Sequence, residues 1–351
     1  MSYTITLLPG KHRFACRSDE TLLEAAEAAG FSVPASCRNG VCWICEATLI
    51  EGRVEDSSQP EKPETGEEIR LCRSFADSDV VLETHRIHPQ REITLNTFAC
   101  QIATIEPFNA HVHRVRLRTP AGTLPEFSPG QYLSLDIPDT ESAFFSIASQ
   151  PGERLIELHI EAPEGRDSAI EILAYLKSHL TVKVSLPFGK ACLNRLPPAF
   201  MTASGALLPA LRDARVLLIA AGTGFAQVKS LAEAFFRMAE PPKAIDLFWG
   251  GRTAEDLYDR SEPGLWQQMY PRFAFHPALA DKEDNAWQGH HDQLVELVMK
   301  QKDVINNLHA GQTLVYASGS PGLVYTAMDA LLERGLDSRH FFSDVLEYAP
   351  R

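Results

Sequence analysis

The sequence lacks the features that would place the protein in a membrane or on nucleic acid. No apolar run approaches the roughly 20 residues that a membrane-spanning helix needs. Residues 1–6 alternate like a strand and show no basic segment followed by an apolar one, so we expect no secretory signal. With 33 Lys and Arg against 46 Asp and Glu, the net charge is −13, which argues against a nucleic-acid partner. A chain of 351 residues without a biased tract predicts two or three domains.

Cysteine is scarce, yet four of the 7 cysteines form a distinctive spacing. Cys37, Cys42 and Cys45 stand as C-x4-C-x2-C, and Cys72 follows at a distance. Two irons and two sulfides need four thiolates, which plant-type ferredoxins supply at this spacing, and Gly40 lets the loop backbone pass close to sulfide. Structural zinc sites come as two close pairs, and a disulfide framework fits less well still. The spacing predicts a [2Fe–2S] cluster, single-electron chemistry and a cytoplasmic location, where thiols stay reduced.

The hydrophobic pattern changes twice along the chain and predicts three domains. Residues 1–88 alternate like strands around one helical stretch, which indicates an α+β domain, and residues 85–90 are the expected linker. Residues 96–196 contain short alternating segments at the spacing of an antiparallel β-barrel. Residues 213–351 alternate β and α, beginning with an apolar run at 216–221, which predicts a parallel sheet with helices on both sides.

Three predicted strand ends in the last domain are rich in small residues. They are Gly222-Thr223-Gly224, Trp249-Gly250-Gly251-Arg252 and Ser318-Gly319-Ser320-Pro321. A glycine turn at a helix N-terminus can bind pyrophosphate through backbone N–H groups, and nucleotides bind at the carboxyl ends of parallel strands. One such turn is a weak signal, because many strand–helix turns need glycine for packing. Three together predict a nucleotide site whose candidate residues are Gly222, Thr223, Gly224, Gly250, Arg252, Gly319 and Pro321.

In their order along the chain, these and further motifs resemble the ferredoxin–NADP reductase superfamily. Phe144-Phe145-Ser146 resembles its flavin motif R-x-Y/F-S, and Gly165-Arg166-Asp167-Ser168 resembles its phosphate-side G-x-x-S. Residues 221–226 resemble its nicotinamide turn, and Phe341-Phe342-Ser343-Asp344 resembles a tail that approaches the flavin. With the ferredoxin module in front, the chain is most similar to reductases of aromatic-ring oxygenases and of deoxysugar dehydrases.

The resemblance implies a β-grasp ferredoxin domain, a flavin-binding barrel and an α/β nicotinamide-binding domain. It implies FAD, a [2Fe–2S] cluster and NAD(P)H, with an oxygenase or other metalloenzyme component as the electron-accepting partner. A flavin belongs between the other two because it exchanges both hydrides and single electrons. The resemblance makes Ser146 and Ser318 the catalytic candidates. It adds flavin-site candidates: Phe144, Phe145, Ser146, His159, Ile160, Gly165 and Ser168. His159 fits equally a core histidine.

The chain departs from the family pattern at several positions. Ala143 stands where an arginine meets the flavin pyrophosphate, Gln227 where proline is usual and Leu346 where an aromatic is frequent. Ser318 replaces a common cysteine, and Arg166 is a candidate substitute for the missing arginine. A free-flavin reductase stays open as an alternative. The departures at Ala143 and Leu346 leave open a further one, a redox-sensing or electron-storage protein with a degenerate flavin site.

The preferred nicotinamide is expected to be NADH. Arg252 follows the second nucleotide-domain strand, and no second basic residue stands close behind it to hold a 2′-phosphate. Glu255 and Asp256 instead add negative charge at that strand end.

Overall fold

The structure, a computed structural model, describes most of the chain. The described residues are 2–8, 12–29, 31–32, 40–41, 43, 45–57, 62–84, 88–89, 95–138, 140, 142–197, 200–201, 209–280, 290, 293–306, 308 and 312–349. The chain divides into two compact units, Met1–Glu92 with Pro198–Leu208, and Ile93–Pro197 with Pro209–Arg351. Among the described residues, no helix has the length and apolar character to cross a membrane. The division of the second unit into barrel and nucleotide domains stays a prediction.

The first unit is a mixed sheet with a helix packed against it. Its elements are β1 (Ser2–Leu8), β2 (His12–Arg17), α1 (Leu22–Ala28), β3 (Phe31–Ser32), β4 (Glu46–Glu51), β5 (Val54–Asp56), β6 (Glu68–Arg70), β7 (Ser74–Ala76), β8 (Val80–Glu83) and β9 (His88–Pro89). The main sheet has the order β2-β1-β8-β4-β6, with β1 antiparallel to β2 and parallel to β8. This pairing of the first strand with β8, the last strand of the main sheet, confirms the predicted β-grasp fold.

Local chemistry explains where the first helix begins. The Thr21 backbone N–H donates to Glu24 Oε2 at 2.9 Å, and the Glu24 N–H donates to Thr21 Oγ1 at 3.2 Å. This capping box satisfies two N–H groups that the first turn leaves without partners, as the sequence predicts. The predicted linker at 85–90 is partly wrong, because His88–Pro89 pair as a short strand with Phe31–Ser32.

The second unit begins with an antiparallel barrel. Its elements are β10 (Asn96–Pro107), β11 (Val112–Arg118), β12 (Tyr132–Asp136), β13 (Ala143–Ser146), β14 (Leu155–Glu161), α2 (Asp167–Ser178) and β15 (Thr181–Phe188). The strand order is β13-β12-β15-β10-β11-β14, and a bridge between Ile147 and Leu158 joins the two edges. The predicted barrel is confirmed. Its fourth strand lies earlier than the predicted 146–148, because Ala143 already pairs with Leu135.

A parallel sheet completes the second unit. Its elements are β16 (Arg215–Ala221), α3 (Phe225–Phe236), β17 (Ala244–Gly251), α4 (Ser261–Met269), β18 (Phe273–Leu279), α5 (Leu294–Lys300), α6 (Lys302–Ile305), β19 (Thr313–Ser318), α7 (Pro321–Glu333), β20 (Phe341–Phe342) and α8 (Val345–Tyr348). The order β18-β17-β16-β19-β20 confirms the predicted parallel sheet. Strands β17 and β18 are added on one side of β16, and β19 and β20 on the other, so the chain changes side between β16 and β19. In such sheets, ligands bind at this switch point.

The barrel assignment predicts the effect of one core substitution. Leu158 is fully buried, whereas Leu180 is 84% exposed. Leu158→Ala is expected to cost about 2–5 kcal/mol through the cavity it leaves, or roughly 5–15 °C in the thermal midpoint. The matched variant Leu180→Ala is expected to stay within about 0.5 kcal/mol of wild type. Thermal scans at one scan rate compare the three proteins, and equal midpoints for the two variants would contradict the barrel core.

Candidate active site

A cavity of about 580 Å³ lies where the barrel strand β13 faces the carboxyl end of β19. Ser146 lines it from the barrel and Ser318 from the parallel sheet, so the structure brings the two predicted catalytic serines to one cavity. Its other lining residues are Tyr132, Phe144, Phe145, Gln227, Gly319, Ser343, Asp344, Val345 and Tyr348. The cavity thus combines the motif that resembles the flavin strand, a nucleotide-domain turn and the C-terminal segment.

The barrel side of this cavity is an aromatic wall. Tyr132 stacks on Phe188 with ring centroids 5.7 Å apart and an interplanar angle of 16°. Phe144 stands edge-on to both rings and is 57% exposed. Planar aromatic ligands pack favourably on such walls by offset stacking and edge contacts. The wall fits the flat ring system of a flavin.

Asp344 anchors the C-terminal segment beside the cavity. Its Oδ1 accepts the backbone N–H groups of Lys190 at 2.9 Å and Ala191 at 3.0 Å, and its Oδ2 accepts Gln227 Nε2 at 2.7 Å. Burial raises the pKa of Asp344 to about 6, although these three hydrogen bonds favour the charged form. One buried carboxyl therefore ties the C-terminal segment to the turn after β15 and to α3.

Gln227, which stands where proline is usual in the family, makes two hydrogen bonds that link separate segments. Besides its bond to Asp344, its Nε2 donates to the carbonyl oxygen of Gly130 at 2.7 Å. Proline has no side-chain donor and could make neither bond. In the sequence, Gln227 was singled out only as a departure from the family pattern, and Asp344 only as part of a C-terminal motif. Nothing in the sequence indicated that the two side chains bond to each other.

A second cavity of about 440 Å³ lies over the ends of β16 and β17. Gly222, Gly250 and Arg252, three predicted nucleotide residues, line it together with Glu161 and Asp256. The N-terminus of the 12-residue helix α3 follows the Gly222–Gly224 turn, so its N–H groups suit a pyrophosphate.

The turn before α3 requires glycine at its last position. A Cβ built on Gly224 would overlap the carbonyl oxygen of Ser318, so the turn after β16 packs directly on the end of β19. Trp249 Nε1 donates to the carbonyl oxygen of Gly222 at 3.1 Å and holds the start of the turn.

Asp256 is fixed at the end of β17. Its Oδ2 accepts the backbone N–H groups of Arg252 at 2.6 Å and Thr253 at 2.9 Å. The carboxylate therefore keeps negative charge at the strand end, where a 2′-phosphate would need a cation.

The other predicted cofactor residues lie elsewhere in the second unit. His159 is fully buried between Glu157 and Tyr258, and Ile160 belongs to the barrel core. Gly165 precedes α2 and Ser168 lies in its first turn, whereas Thr223 and Pro321 lie in the turns that open α3 and α7. Arg166, the candidate substitute for the missing arginine, pairs with Glu161 at 3.1 Å. The cofactor roles of these residues stay predictions.

Two of the four predicted cluster ligands can be located. Cys45 and Cys72 are 3% and 6% exposed, and the Leu71 N–H donates to the Cys45 carbonyl oxygen at 3.1 Å, which brings the two cysteines' backbones together. Cys37 and Cys42 lie outside the described residues, and the described part of the chain holds no cluster of three candidate metal ligands. The located thiols suit iron, which plant-type ferredoxins hold through four cysteines.

Arg70 braces the loop that carries the predicted cluster ligands. Its Nη1 donates to the Gly40 carbonyl oxygen at 3.0 Å, and its Nη2 pairs with Asp56 at 2.9 Å. Its guanidinium also lies 4.6 Å from the ring centre of Trp43, a residue with a positive φ of 58°. No sequence pattern predicted these contacts of Arg70.

Comparisons with known proteins agree with this architecture. The model of the 2Fe-2S iron-sulfur cluster binding domain matches residues 5–77, and that of the oxidoreductase NAD-binding domain matches 218–329. Terephthalate 1,2-dioxygenase reductase component 2 of Comamonas sp is 32% identical over 100% of this chain and 99% of its own. The CDP-6-deoxy-L-threo-D-glycero-4-hexulose-3-dehydrase reductase of Yersinia pestis is 25% identical over 98% of each. The ferredoxin reductase in carbazole 1,9a-dioxygenase shares the fold, with TM-score 0.58, 21% identity and 98% coverage of both chains.

The raised pKa of Asp344 predicts a pH dependence with a definite sign. The carboxyl binds a proton more readily in the folded protein than in the unfolded chain, so it stabilises the fold at low pH, and this stability is lost as the pH rises through about 6. Between about pH 7 and about pH 5, we expect a gain of about 1 kcal/mol, or roughly 2–4 °C in the thermal midpoint. Asp344→Asn, which does not ionise, should lack this gain. A midpoint difference between the two proteins that is constant with pH would contradict the assignment.

Proposed function

Because the chain belongs to the family of iron–sulfur flavoprotein reductase components that includes those of terephthalate 1,2-dioxygenase, we propose that it delivers electrons to an oxygenase. It is an NAD(P)H-dependent oxidoreductase with FAD and a [2Fe–2S] cluster as its cofactors. The observation that carries the proposal is the cavity shared by Ser146 and Ser318, which joins the flavin-type strand to the nucleotide-type turn.

Each site offers groups that suit its cofactor. The flavin converts the two electrons of a hydride into single electrons, which the cluster carries. The wall of Tyr132 and Phe144 would hold the flavin ring, and the Ser146 and Ser318 hydroxyls would orient the two rings from opposite sides of the cavity. The N–H groups at the start of α3 would hold the nucleotide pyrophosphate. Cys45 and Cys72, with Cys37 and Cys42, would hold the cluster.

An oxygenase component is the preferred acceptor. The chain is 32% and 30% identical to two dioxygenase reductase components and 25% identical to the sugar dehydrase reductase. Residues 1–90 contain 15 acidic and 9 basic side chains, a balance that would steer a basic partner surface to the ferredoxin-type unit. A sugar-nucleotide dehydrase is the second candidate, since that relative also matches along 98% of both chains.

The proposed location is the cytoplasm. Four thiolates must stay reduced until they bind iron, and the cytoplasm maintains thiols in that state.

The cluster assignment predicts a variant that separates the two redox centres. Cys45→Ser should lose or destabilise the cluster while NADH-to-ferricyanide activity persists, since a flavin alone can reduce that acceptor. Cys16→Ser, which removes another buried thiol of the same unit, should keep the cluster. Anaerobic absorption spectra and iron assays read out both variants. A wild type without flavin bands that NADH bleaches would refute the proposed function, and full iron in Cys45→Ser would refute this ligand.

The fixed acidic charge at the end of β17 predicts a preference for NADH. Glu255 is exposed, so Glu255→Lys should lower the NADH-to-NADPH ratio of kcat/KM about two- to fivefold, by attracting a 2′-phosphate. Glu296→Lys on α5 makes the same charge change at another exposed helix position and should leave the ratio unchanged. Steady-state kinetics with both nucleotides measure it. A wild type that favours NADPH tenfold would overturn the preference.

A further inference from the structure

A chain of hydrogen bonds, buried at Glu157 and His159, links the barrel to the segment that follows β17. His159, on β14, is fully buried, and its Nδ1 lies 2.8 Å from the Tyr258 hydroxyl. Its Nε2 lies 3.2 Å from Glu157 Oε1, and Glu157 Oε2 accepts Arg116 Nε at 3.0 Å. Four side chains thus run in series from β11 across β14 to the nucleotide-binding side.

The direction of these hydrogen bonds follows from the charges. Burial alone would raise the pKa of Glu157, but the bond to His159 and the neighbouring cations outweigh burial and lower it to about 2. Burial lowers the pKa of His159 and raises that of Tyr258, so the imidazole is neutral and the phenol keeps its proton. A carboxylate only accepts, so Nε2 carries the imidazole proton and Tyr258 donates to Nδ1. The hydrogen bond between Tyr258 and His159 therefore runs in one direction, from the phenol to the imidazole.

Both partners of the bond between His159 and Tyr258 lie next to residues that contact a predicted cofactor motif. On the barrel side, Leu158 precedes His159 and bridges Ile147, the residue after Ser146. On the other side, the Tyr258 ring lies edge-on to Trp249 at 5.2 Å, and Trp249 donates to the Gly222 carbonyl oxygen. The Tyr258 hydroxyl bond is therefore one polar contact that connects, through Leu158 and Trp249, the strand of the flavin motif with the nucleotide turn.

We propose that His159 and Tyr258 are positioning residues for hydride transfer, because their hydrogen bond sets the nucleotide turn relative to the flavin strand. This inference rests on the proposed function. Neither side chain is placed on a cofactor; each acts through its neighbours, His159 through Leu158 and Tyr258 through Trp249.

Other contacts keep the barrel and the parallel sheet docked when this bond is lost. Asn109 Nδ2 donates to the Glu255 carbonyl oxygen at 2.7 Å, and Gln150 Nε2 donates to the Ser230 carbonyl oxygen at 2.6 Å. Removing the Tyr258 hydroxyl alone should therefore loosen the alignment without separating the two sheets.

The test compares Tyr258→Phe with Tyr270→Phe. Both remove one hydroxyl and keep the ring, and the Tyr270 ring stacks on Phe236 within the nucleotide-binding side, away from the barrel joint. In anaerobic single-turnover experiments with the holoenzyme, Tyr258→Phe should reduce its flavin roughly 5- to 20-fold more slowly at saturating NADH, since small misalignments of reacting groups are costly. Tyr270→Phe should match wild type.

A second readout needs no turnover. In the NADH-free protein, backbone amides of residues 222–226 should exchange hydrogen about two- to tenfold faster in Tyr258→Phe, because the ring that packs on Trp249 is no longer held by His159. Tyr270→Phe should leave these amides at the wild-type rate. Wild-type rates of both flavin reduction and exchange in Tyr258→Phe would overturn the inference.

The same joint can be broken from the barrel side if Tyr258→Phe folds poorly. His159→Leu removes both ring nitrogens and should reproduce the slow flavin reduction, whereas His159→Asn, whose amide can still meet the Tyr258 hydroxyl, should recover part of the rate. Equal rates for these two variants would refute the positioning role. A wild type whose flavin NADH does not reduce would instead refute the proposed function, so the two failures are distinguishable.

Discussion

The meeting of two strand ends organises the catalytic half of this molecule. The turn after β16 packs so closely on the end of β19 that position 224 has no room for a side chain. The turn lines the cavity over β16 and β17, and the end of β19 lines the cavity beside the barrel. Ser318 and Ser320, at the end of β19 and just after it, line one cavity each, and Ser146 at the end of β13 lines the same cavity as Ser318.

Polar groups take part in joining the barrel to the parallel sheet of the second unit. His159, Tyr258, Glu157 and Gln227 all bury hydrogen-bonding atoms at or beside the junction. Buried polar groups add little net stability, but an unmatched one is costly, so they disfavour misaligned arrangements. Directional contacts of this kind restrict the alignment of two packed elements more than an apolar interface does, because apolar contacts tolerate small displacements.

More of the architecture than of the individual contacts could be predicted from the sequence. Alternation, capping at Thr21 and the glycine turns predicted the three sheets, since these signals are local. The strand β18 was missed because His276 and Pro277 interrupt its apolar pattern. The packing of Tyr132 on Phe188 and the bond between Gln227 and Asp344 were missed for another reason: these partners lie far apart in sequence, and no periodicity indicates which distant side chains will meet. His159 looked like a flavin neighbour or a core residue, and the structure places it in the core as part of a junction.

Gln227 also limits which polar group the cavity wall can offer at α3. A primary amide has two hydrogens, and those of Gln227 are engaged by the Gly130 carbonyl oxygen and by Asp344. The polar group that this side chain can still offer to the cavity it lines is its oxygen, a pure acceptor. The Gln227 side chain therefore has no free amide N–H with which to bind a lone pair on the edge of a planar ring.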